Sequence, residues 1–280
     1  MGLCGIKELL NSAEKENKAV GAFNVSNMEM IIGTVKASEE CNTPIIVQIA
    51  ESRLNHSPLY LIAPMMIAAA KNANTDIAVH FDHGATKGKI KEALDLGFTS
   101  VMYDGSKLPL SENVKNTLEI KELAKSYGAG VEAELGILGK DEDGNVIAGS
   151  AFTDPETAKE FAEKTCPDCL AVAIGNAHGF YKGKPELRLD ILEEIDKKTD
   201  IPLVLHGGTG IYPEDFRRCI DLGIRKINIA TANFHAFTKG AKEYFDGDKF
   251  DYFSLNEKLV ESVFENVRKH IYIFNNRGAL

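Results

Sequence analysis

DIAVHFDHG, residues 76–84, has the pattern of a buried strand that ends in a polar turn. The same pattern occurs twice more: Cys169–Gly175 precedes Asn176-Ala177-His178-Gly179, and Pro202–Leu205 precedes His206-Gly207-Gly208-Thr209-Gly210. Short, nearly continuous apolar runs of this kind are typical of parallel strands that are covered on both faces. The repetition therefore predicts three equivalent strands, each of which delivers a histidine followed by glycine at its end.

Eight such strands alternate with amphipathic helical patterns along the chain. The predicted strands are Val20–Val25, Pro44–Ala50, Asp76–Asp82, Ser100–Asp104, Gly130–Leu135, Leu170–Gly175, Pro202–His206 and Lys226–Ala230. Because no change in composition marks a second unit, eight strand–helix units in about 230 residues predict a single (β/α)8 TIM barrel. We expect this one domain to span residues 1–280, with a C-terminal helical extension at about residues 250–280.

Composition and charge exclude several classes of function. The 280 residues carry a net charge of −9, which argues against nucleic-acid binding, since that rests on clustered lysine and arginine. Neither a membrane-spanning stretch nor a secretory signal is visible in the sequence, so we expect no membrane partner. The five scattered cysteines suit a reducing cytoplasm. The charge does not argue against a phosphorylated small molecule, because backbone amides can hold phosphate.

Polar residues gather at the predicted strand ends. They are Asn24, Asp82, His83, Asp104, Glu134, His178, His206, Asn228 and Thr231. In barrels of this kind the chemistry lies at the C-terminal ends of the strands, whereas the opposite face serves stability. The sequence therefore predicts an active site at this rim.

The three histidines predict a metal site. Three imidazoles from three strand ends leave a fourth position open, which is the arrangement of a catalytic zinc on His83, His178 and His206. Asp104 and Glu134 could each offer an oxygen to the metal in an alternative position.

The carboxylates near the predicted metal have separate expected roles. Asp82 could exchange a proton with a substrate hydroxyl near the metal, or else orient one of the histidines. Glu132 and Glu134 are two apart on the fifth predicted strand, so both should face the barrel interior. We assign Glu134 to accept the free N–H of a metal-bound imidazole, and Glu132 to the deeper interior.

Two loops complete the predicted site. The glycine-containing segment Gly136–Ser150 carries the acidic run Asp141-Glu142-Asp143, and it is either a closing lid or a solvated surface loop. The turns after the seventh and eighth predicted strands are common phosphate sites in barrels. Their candidate ligands are the amides of Gly179 and Gly207 and the hydroxyls of Thr209 and Thr231.

These motifs, in this order, resemble the class II, zinc-dependent ketose-bisphosphate aldolases of fructose-1,6- or tagatose-1,6-bisphosphate. The resemblance runs from about Val20 to Thr231. It is carried by Ala22-Phe23-Asn24, Val79-His80-Phe81-Asp82-His83-Gly84, Gly97 to Ser106, Val131-Glu132-Ala133-Glu134-Leu135-Gly136, His178-Gly179 with Tyr181-Lys182-Gly183, and Leu205 to Ile211.

The resemblance implies a reversible aldol cleavage that yields dihydroxyacetone phosphate and an aldehyde. Zinc on the three histidines would act as a Lewis acid on the ketone. Asp82 would move the proton of the C4 hydroxyl, and Glu142 on the lid would move the C3 proton. The implied substrate ligands are Asn24, Gly179, Gly207, Thr209, Asn228 and Thr231. Members of the family often bind Na⁺ or K⁺ beside the phosphate and are usually homodimers or homotetramers.

Several positions depart from the family pattern. Asn176 replaces a hydroxyl residue, and Gly139-Lys140 stands where two glycines usually precede the lid acids, so Asp141 and Glu142 both remain candidates. The strand-eight exit, Asn228 to Asn233, lacks the usual acidic residue. Ala50 stands where a serine usually lines the far half of the substrate. The C-terminal helix lacks a clear match to the arginine that holds the distal phosphate in the family, and Arg268 and Lys258 are candidates for it.

The metal half of the site is thus intact, while the half that binds the aldehyde is altered. The predicted substrate is fructose or tagatose 1,6-bisphosphate. Three alternatives remain open: the same chemistry on a different ketose 1-phosphate, with an aldehyde other than glyceraldehyde 3-phosphate; a metal-dependent sugar-phosphate isomerase or epimerase; and a non-catalytic sugar-phosphate binder.

Overall fold

The computed structural model describes residues 2–139, 151–247 and 250–275. Its strands are β1 (Gly2–Leu3), β2 (Val20–Asn24), β3 (Ile45–Ala50), β4 (Asp76–Gly84), β5 (Ser100–Tyr103), β6 (Gly130–Leu135), β7 (Cys169–Val172), β8 (Leu203–Leu205) and β9 (Ile224–Ile229). Strands β2 to β9 are parallel to their neighbours and form a closed ring, because β2 pairs with β9 and β4 pairs with β5. The predicted (β/α)8 barrel is confirmed.

Ten α-helices accompany the strands in the described residues. They are α1 (Ile6–Lys15), α2 (Met28–Cys41), α3 (Leu59–Asn72), α4 (Lys87–Asp95), α5 (Leu110–Lys125), α6 (Pro155–Thr165), α7 (Leu189–Lys198), α8 (Pro213–Asp221), α9 (Thr231–Phe245) and α10 (Tyr252–Phe274). Helices α2 to α9 follow the eight barrel strands around the outside of the ring. Within the described ranges, none of these helices is both long enough and apolar enough to cross a membrane.

Most predicted strand bounds agree with the structure to within two residues, and two features of the sheet differ more than this. The short strand β1 was not predicted, and it pairs with the start of β4 at Asp76 and Ile77. Strand β7 ends at Val172 rather than at Gly175, because side chains take the next two backbone N–H groups. Ala173 N–H donates to the hydroxyl of Thr153, and Ile174 N–H donates to the side-chain oxygen of Asn176.

The barrel interior is apolar and closed near the N-terminal ends of the strands. Small and branched side chains that point inward, such as Ala22, Ile46 and Val204, pack against α1 in one buried cluster. Helix α1 therefore plugs the N-terminal end of the barrel. The polar interior residues lie toward the other end, so the chemistry of this chain must take place at the C-terminal mouth.

The C-terminal helix α10 packs against α2 and α9 on the outside of the barrel. Its approach to α2 requires a glycine, because a Cβ on Gly33 would lie 2.6 Å from the carbonyl oxygen of Val260. The predicted C-terminal helix is confirmed, and it spans Tyr252–Phe274.

His270 makes the packing of α10 sensitive to acid. Its ring lies beside Phe23 and Phe274, and its Nδ1 donates to the carbonyl of Asn266 at 2.7 Å. Burial lowers the pKa of His270 to about 4. The unfolded chain, with an ordinary histidine pKa of about 6.5, therefore binds more protons between these two values, and stability is lost as the pH falls through that window.

We expect His270→Phe to remove this contribution, which amounts to about 2 kcal/mol of unfolding free energy between pH 7 and pH 5. Urea unfolding at the two pH values measures it, and the exposed His56→Gln serves as the control. If His270→Phe kept the pH dependence of the wild type, the acid sensitivity would have to come from other groups.

Candidate active site

The three predicted histidines meet at the mouth of the barrel. His83 is the second-last residue of β4, His178 lies in the loop after β7, and His206 directly follows β8. One nitrogen from each ring lies within 4.8 Å of the other two. The closest pair is His206 Nδ1 and His83 Nε2, which are 2.8 Å apart. The three side chains can therefore bind one ion together.

An irregularity in β4 brings His83 into this group. In a regular strand the adjacent Asp82 and His83 would point to opposite faces. Here the pairing of β4 with β5 shifts between Phe81 and Gly84, and His83 has a φ of 45°, in the left-handed region. A residue with a Cβ reaches that region at a cost of about 1 kcal/mol or more. The turn lets both side chains face the mouth.

Carboxylates hold the outward nitrogens of two of these rings. Glu132 Oε1 lies 2.7 Å from His206 Nε2, and Asp104 Oδ2 lies 3.2 Å from His83 Nδ1. Each of these two rings then donates its N–H to the carboxylate and directs the lone pair of its other nitrogen toward the centre of the three histidines. Two lone pairs 2.8 Å apart repel each other unless a cation lies between them. The donor set of three imidazoles with hydrogen-bonded outer nitrogens therefore fits a zinc ion.

Glu132 thus makes the contact that the sequence reasoning assigned to Glu134. The alternation of side chains places both carboxylates inside the barrel, as expected, but it does not say which ring each one meets. Glu134 Oε2 lies 3.8 Å from His83 Nδ1, beyond hydrogen-bond distance.

A second group of metal-ligating atoms lies beside the first. His83, Asp104 and Glu134 each offer one atom within 4.8 Å of the others. Glu134 Oε2 is buried and accepts no hydrogen bond from the described residues. Burial, together with the charge of Asp104, raises the pKa of Glu134 well above its ordinary value. A cation bound by Asp104 and Glu134 would satisfy this oxygen, which fits the alternative position predicted for these two residues. His83 would serve only one of the two positions at a time, because a neutral imidazole offers one lone pair.

A buried lysine contacts two polar residues of the site inside the barrel. Lys226 in β9 is 0% exposed, and its Nζ lies 2.8 Å from Glu132 Oε2 and donates to Asn228 Oδ1 at 2.6 Å. Burial alone would raise the pKa of Glu132, but Lys226 and His206 outweigh it and hold the pKa well below the ordinary value. The ammonium therefore keeps ionised the carboxylate that orients His206. Sequence reasoning did not assign Lys226, although its two-residue spacing from Asn228 places both on the interior face.

Two amides hold the carboxylate of Asp82. Asn24 Nδ2 donates to one oxygen at 3.0 Å, and Asn228 Nδ2 donates to the other at 3.1 Å. Each amide is itself fixed, because Asn228 Oδ1 accepts from Lys226 and Asn24 Oδ1 accepts from Gln48 at 2.8 Å. The rotamer of Asp82 is thus set before a substrate arrives.

Asp82 is ionised near neutral pH. Burial raises the pKa of this carboxyl, but the positive charge available on His83, His206 and Lys226 outweighs burial and lowers the pKa to about 2. A buried carboxylate beside three imidazoles can accept a proton from a hydroxyl bound next to the metal position.

Asp82 lines a cavity of about 470 Å³ that is open to solvent. The residues that line it are Asn24, Ala50, Arg53, Asp82, His178, Gly179, Gly207, Thr209, Asn228, Ala230, Thr231 and Phe234. All six predicted substrate ligands are in this set. Ala50, one of the positions that depart from the family pattern, also lines the cavity.

One side of the cavity has the features of an anion site. Helix α9 begins at Thr231, so its first N–H groups lie at the cavity wall, where a phosphate can bind. Thr209 accepts a hydrogen bond from Ala232 N–H at 3.0 Å, which fixes the turn after β8 against this helix. Gly207 has a φ of 64°, and a Cβ there would collide with the carbonyl of Ala177. Only glycine fits this turn.

Asn176 links the loops that carry His178 and His206. Its side chain accepts from Ile174 N–H at 2.8 Å and donates to the carbonyl of His206 at 3.0 Å. Tyr181 adds a second link, since its hydroxyl accepts from Ala177 N–H and donates to the carbonyl of Gly207. The loops after β7 and β8 are thereby held in a fixed relation to each other.

The two distal candidates lie elsewhere. Arg268 pairs with Glu40 and Glu265 on the outer helices, and Lys258 pairs with Glu243. Neither lines the cavity described above. The lid candidates Asp141 and Glu142 lie outside the described residues, so the predicted lid acid stays a prediction.

Comparison with known proteins matches nearly the whole chain to one family. Residues 5–279 match the family described as Fructose-bisphosphate aldolase class-II. The fructose-bisphosphate aldolase of Geobacillus stearothermophilus is 42% identical over 251 residues, which cover 89% of this chain and 88% of the relative. The enzyme of the same name from Staphylococcus aureus (strain Mu50) is 42% identical over 252 residues, with the same coverage. The X-ray structure of the YdjI aldolase from Escherichia coli K12 matches with a TM-score of 0.88 and 33% identity, over 97% of each chain.

Proposed function

The chain belongs to the class II fructose-bisphosphate aldolases, lyases that break a carbon–carbon bond, and from this premise we propose that its substrate is fructose 1,6-bisphosphate. The products are then dihydroxyacetone phosphate and glyceraldehyde 3-phosphate, and the reaction is reversible. The observation that carries the proposal is the group of three imidazoles, one of which, His178, lines the same cavity as Asp82.

The relatives favour this substrate over the alternatives. Those at 42% identity are named for fructose bisphosphate, whereas tagatose 1,6-bisphosphate differs from it in configuration at C4. A different ketose 1-phosphate gains no support from the comparisons. An isomerase or epimerase would break no carbon–carbon bond, which is the defining step of this family.

The metal in this proposal is zinc on His83, His178 and His206. The family is metal-dependent, and zinc suits a site with three imidazole ligands and an open position. When bound, the ion supplies a Lewis acid that polarises the substrate ketone and stabilises the negative charge that develops on cleavage. Glu132 and Asp104 orient His206 and His83 for this task, as their short contacts with the outer nitrogens indicate.

Asp82 performs the first proton transfer in this mechanism. Its carboxylate takes the proton of the C4 hydroxyl, the C4–O bond becomes a carbonyl, and the C3–C4 bond breaks. The electron pair of that bond stays on the three-carbon fragment that carries the C1 phosphate. Protonation of this fragment at C3 gives dihydroxyacetone phosphate, and we assign that step to Glu142 on the basis of the resemblance. In the reverse direction Asp82 returns its proton.

The C1 phosphate binds at the side of the cavity formed by the loops after β7, β8 and β9. Its ligands in this proposal are the amides of Gly179 and Gly207, the hydroxyls of Thr209 and Thr231, and the N-terminus of α9. Asn24 and Asn228 contact the reacting carbons as well as Asp82. We extend the proposal to a Na⁺ or K⁺ ion beside the phosphate, a cytoplasmic location, a single-domain chain and a homodimer or homotetramer.

A coupled assay of triose phosphate release tests the proposal. We expect the purified protein to cleave fructose 1,6-bisphosphate at about 10 per second, a rate typical of enzymes. Tagatose 1,6-bisphosphate should react much more slowly, and prior chelation of metal should abolish the activity until zinc is restored. Release of triose phosphate from neither sugar, by protein that retains zinc, would refute the assigned substrate.

A further inference from the structure

Side chains of the loop after β7 hold two consecutive carbonyl groups of the loop after β8. Asn176 Nδ2 donates to the carbonyl of His206 at 3.0 Å, and the hydroxyl of Tyr181 donates to the carbonyl of Gly207 at 3.0 Å. Gly207 lines the active-site cavity, whereas neither Asn176 nor Tyr181 is among the described residues that line it. The two side chains therefore fix, from outside the cavity, both peptide groups that flank a residue of its wall.

Asn176 is itself held at both ends of its amide group. Its side chain is 1% exposed, and its Oδ1 accepts from Ile174 N–H at 2.8 Å while its Nδ2 donates to the carbonyl of His206. If this buried amide rotated, it would leave a donor or an acceptor unpaired, which is unfavourable. The orientation of the His206 carbonyl is thus set by the backbone just after β7.

The orientation of the peptide between His206 and Gly207 determines where the N–H of Gly207 points. This peptide bond is trans, so its C=O and its N–H point in opposite directions. The C=O points to Asn176, which lies outside the cavity wall. The N–H of Gly207 therefore points away from Asn176, toward the side on which Gly207 meets the cavity. Within the described ranges this N–H has no hydrogen-bond acceptor.

An N–H fixed in this direction suits a phosphate oxygen. Thr209 and Thr231 line the same cavity, and α9 begins at Thr231, so donors from neighbouring loops surround the position that the N–H of Gly207 faces. A hydrogen bond weakens steeply when its angle at the hydrogen falls below about 120°. The contribution of Gly207 to anion binding therefore depends on the orientation of its peptide group.

We propose that Asn176 is a positioning residue for the substrate phosphate, because it fixes the peptide that presents the N–H of Gly207 to the cavity. Tyr181 fixes the next peptide in the same way. The proposal rests on the aldolase function proposed above, which places the C1 phosphate at these loops. It gives a role to a position at which this chain departs from the family pattern. Asn176 acts only through Gly207 and takes no part in the bond cleavage itself.

Asn176→Ser tests the proposal, because it removes the Nδ2 donor and leaves a hydroxyl residue, as the family pattern has at this position. We expect the Kd of the zinc-loaded protein for dihydroxyacetone phosphate, measured by titration calorimetry, to rise about tenfold, the effect of one oriented hydrogen bond to a charged group. KM for fructose 1,6-bisphosphate should rise by a similar factor. The value of kcat should stay within about threefold of wild type, because the phosphate contact is the same in the ground state and the transition state.

A second variant and a matched control accompany this measurement. Tyr181→Phe keeps the ring and removes the hydroxyl that holds the Gly207 carbonyl, so the same Kd should rise about threefold. Asn113→Ser is the control, since Asn113 is also 1% exposed and its Nδ2 also donates to a backbone carbonyl at 3.0 Å, that of Glu134. It should lower the free energy of unfolding without changing the Kd. Elemental analysis gives the zinc content of every variant.

A raised Kd in Asn176→Ser and Tyr181→Phe, with zinc and kcat retained, supports the proposal. An unchanged Kd in both would overturn it, and so would an equal rise in Asn113→Ser, which would indicate a general loosening of the barrel. Loss of zinc from either variant would also overturn it, because the link would then act on the histidines. If Asn176→Ser does not fold, the Kd of Tyr181→Phe decides.

The calorimetric measurement also separates this proposal from the proposed function. Binding of dihydroxyacetone phosphate is measured without turnover. A wild type that bound this compound but released no triose phosphate from fructose 1,6-bisphosphate would refute the proposed substrate, while the Kd values would still decide the role of Asn176.

Discussion

Asp82→Asn is expected to lower kcat for cleavage by about 10² to 10⁴-fold, the range for loss of a positioned general base. The amide has almost the shape of the carboxylate but cannot take the proton of the C4 hydroxyl. Its single N–H₂ group also faces the amide donor of either Asn24 or Asn228, each of which now donates to one oxygen of Asp82. The loss should appear in kcat more than in KM, because the proton moves only in the transition state.

Steady-state kinetics on fructose 1,6-bisphosphate, with metal content measured in parallel, checks this expectation. The matched control is Asp76→Asn, a carboxylate at the opposite end of the same strand β4. The zinc content of Asp82→Asn should equal that of the wild type. A variant that kept zinc and more than about a tenth of the wild-type kcat would remove Asp82 from the role of base.

His178→Ala is expected to abolish metal binding and, with it, the activity. A catalytic zinc takes three protein ligands and one open position, so two histidines should not retain the ion during dialysis. The Lewis acid contributes several kcal/mol to the transition state, which corresponds to a loss of activity of about 10³-fold or more. His178 is the cleanest of the three to remove, because His83 and His206 also contact the carboxylates of Asp104 and Glu132.

Elemental analysis after dialysis, and the visible spectrum after Co²⁺ substitution, measure the metal directly. The wild type should hold about one ion at the triad, and His178→Ala far less than that. His235→Ala is the control, since His235 is an exposed histidine in α9. An unchanged metal content in His178→Ala would assign the ion to the neighbouring group of His83, Asp104 and Glu134 instead.

The barrel could be predicted because its information is local. Each strand is a short apolar run bounded by polar turns, and Gly130–Leu135 was predicted with the bounds that the structure has. Strand ends were less certain where a side chain competes with the ladder, as Thr153 and Asn176 do after Val172. The convergence of His83, His178 and His206 also followed, since parallel strands in one barrel bring their C-terminal ends to one rim.

The partners across the barrel could not be derived in the same way. Side-chain alternation places Glu132 and Glu134 inside, but the stagger of the closed ring determines that Glu132 reaches His206 and Lys226. Arg53 and Gly179 likewise line one cavity only because the ring closes, since the two residues are far apart in the chain.

Local periodicity therefore established the fold class, the rim and the residue types that gather there. The tertiary structure decided which of those residues touch. The left-handed turn at His83 is the clearest case, since a regular strand would have separated its ring from Asp82. The physical reason is that period and composition are properties of neighbouring residues, whereas register, bulges and ring closure arise from pairings between distant segments.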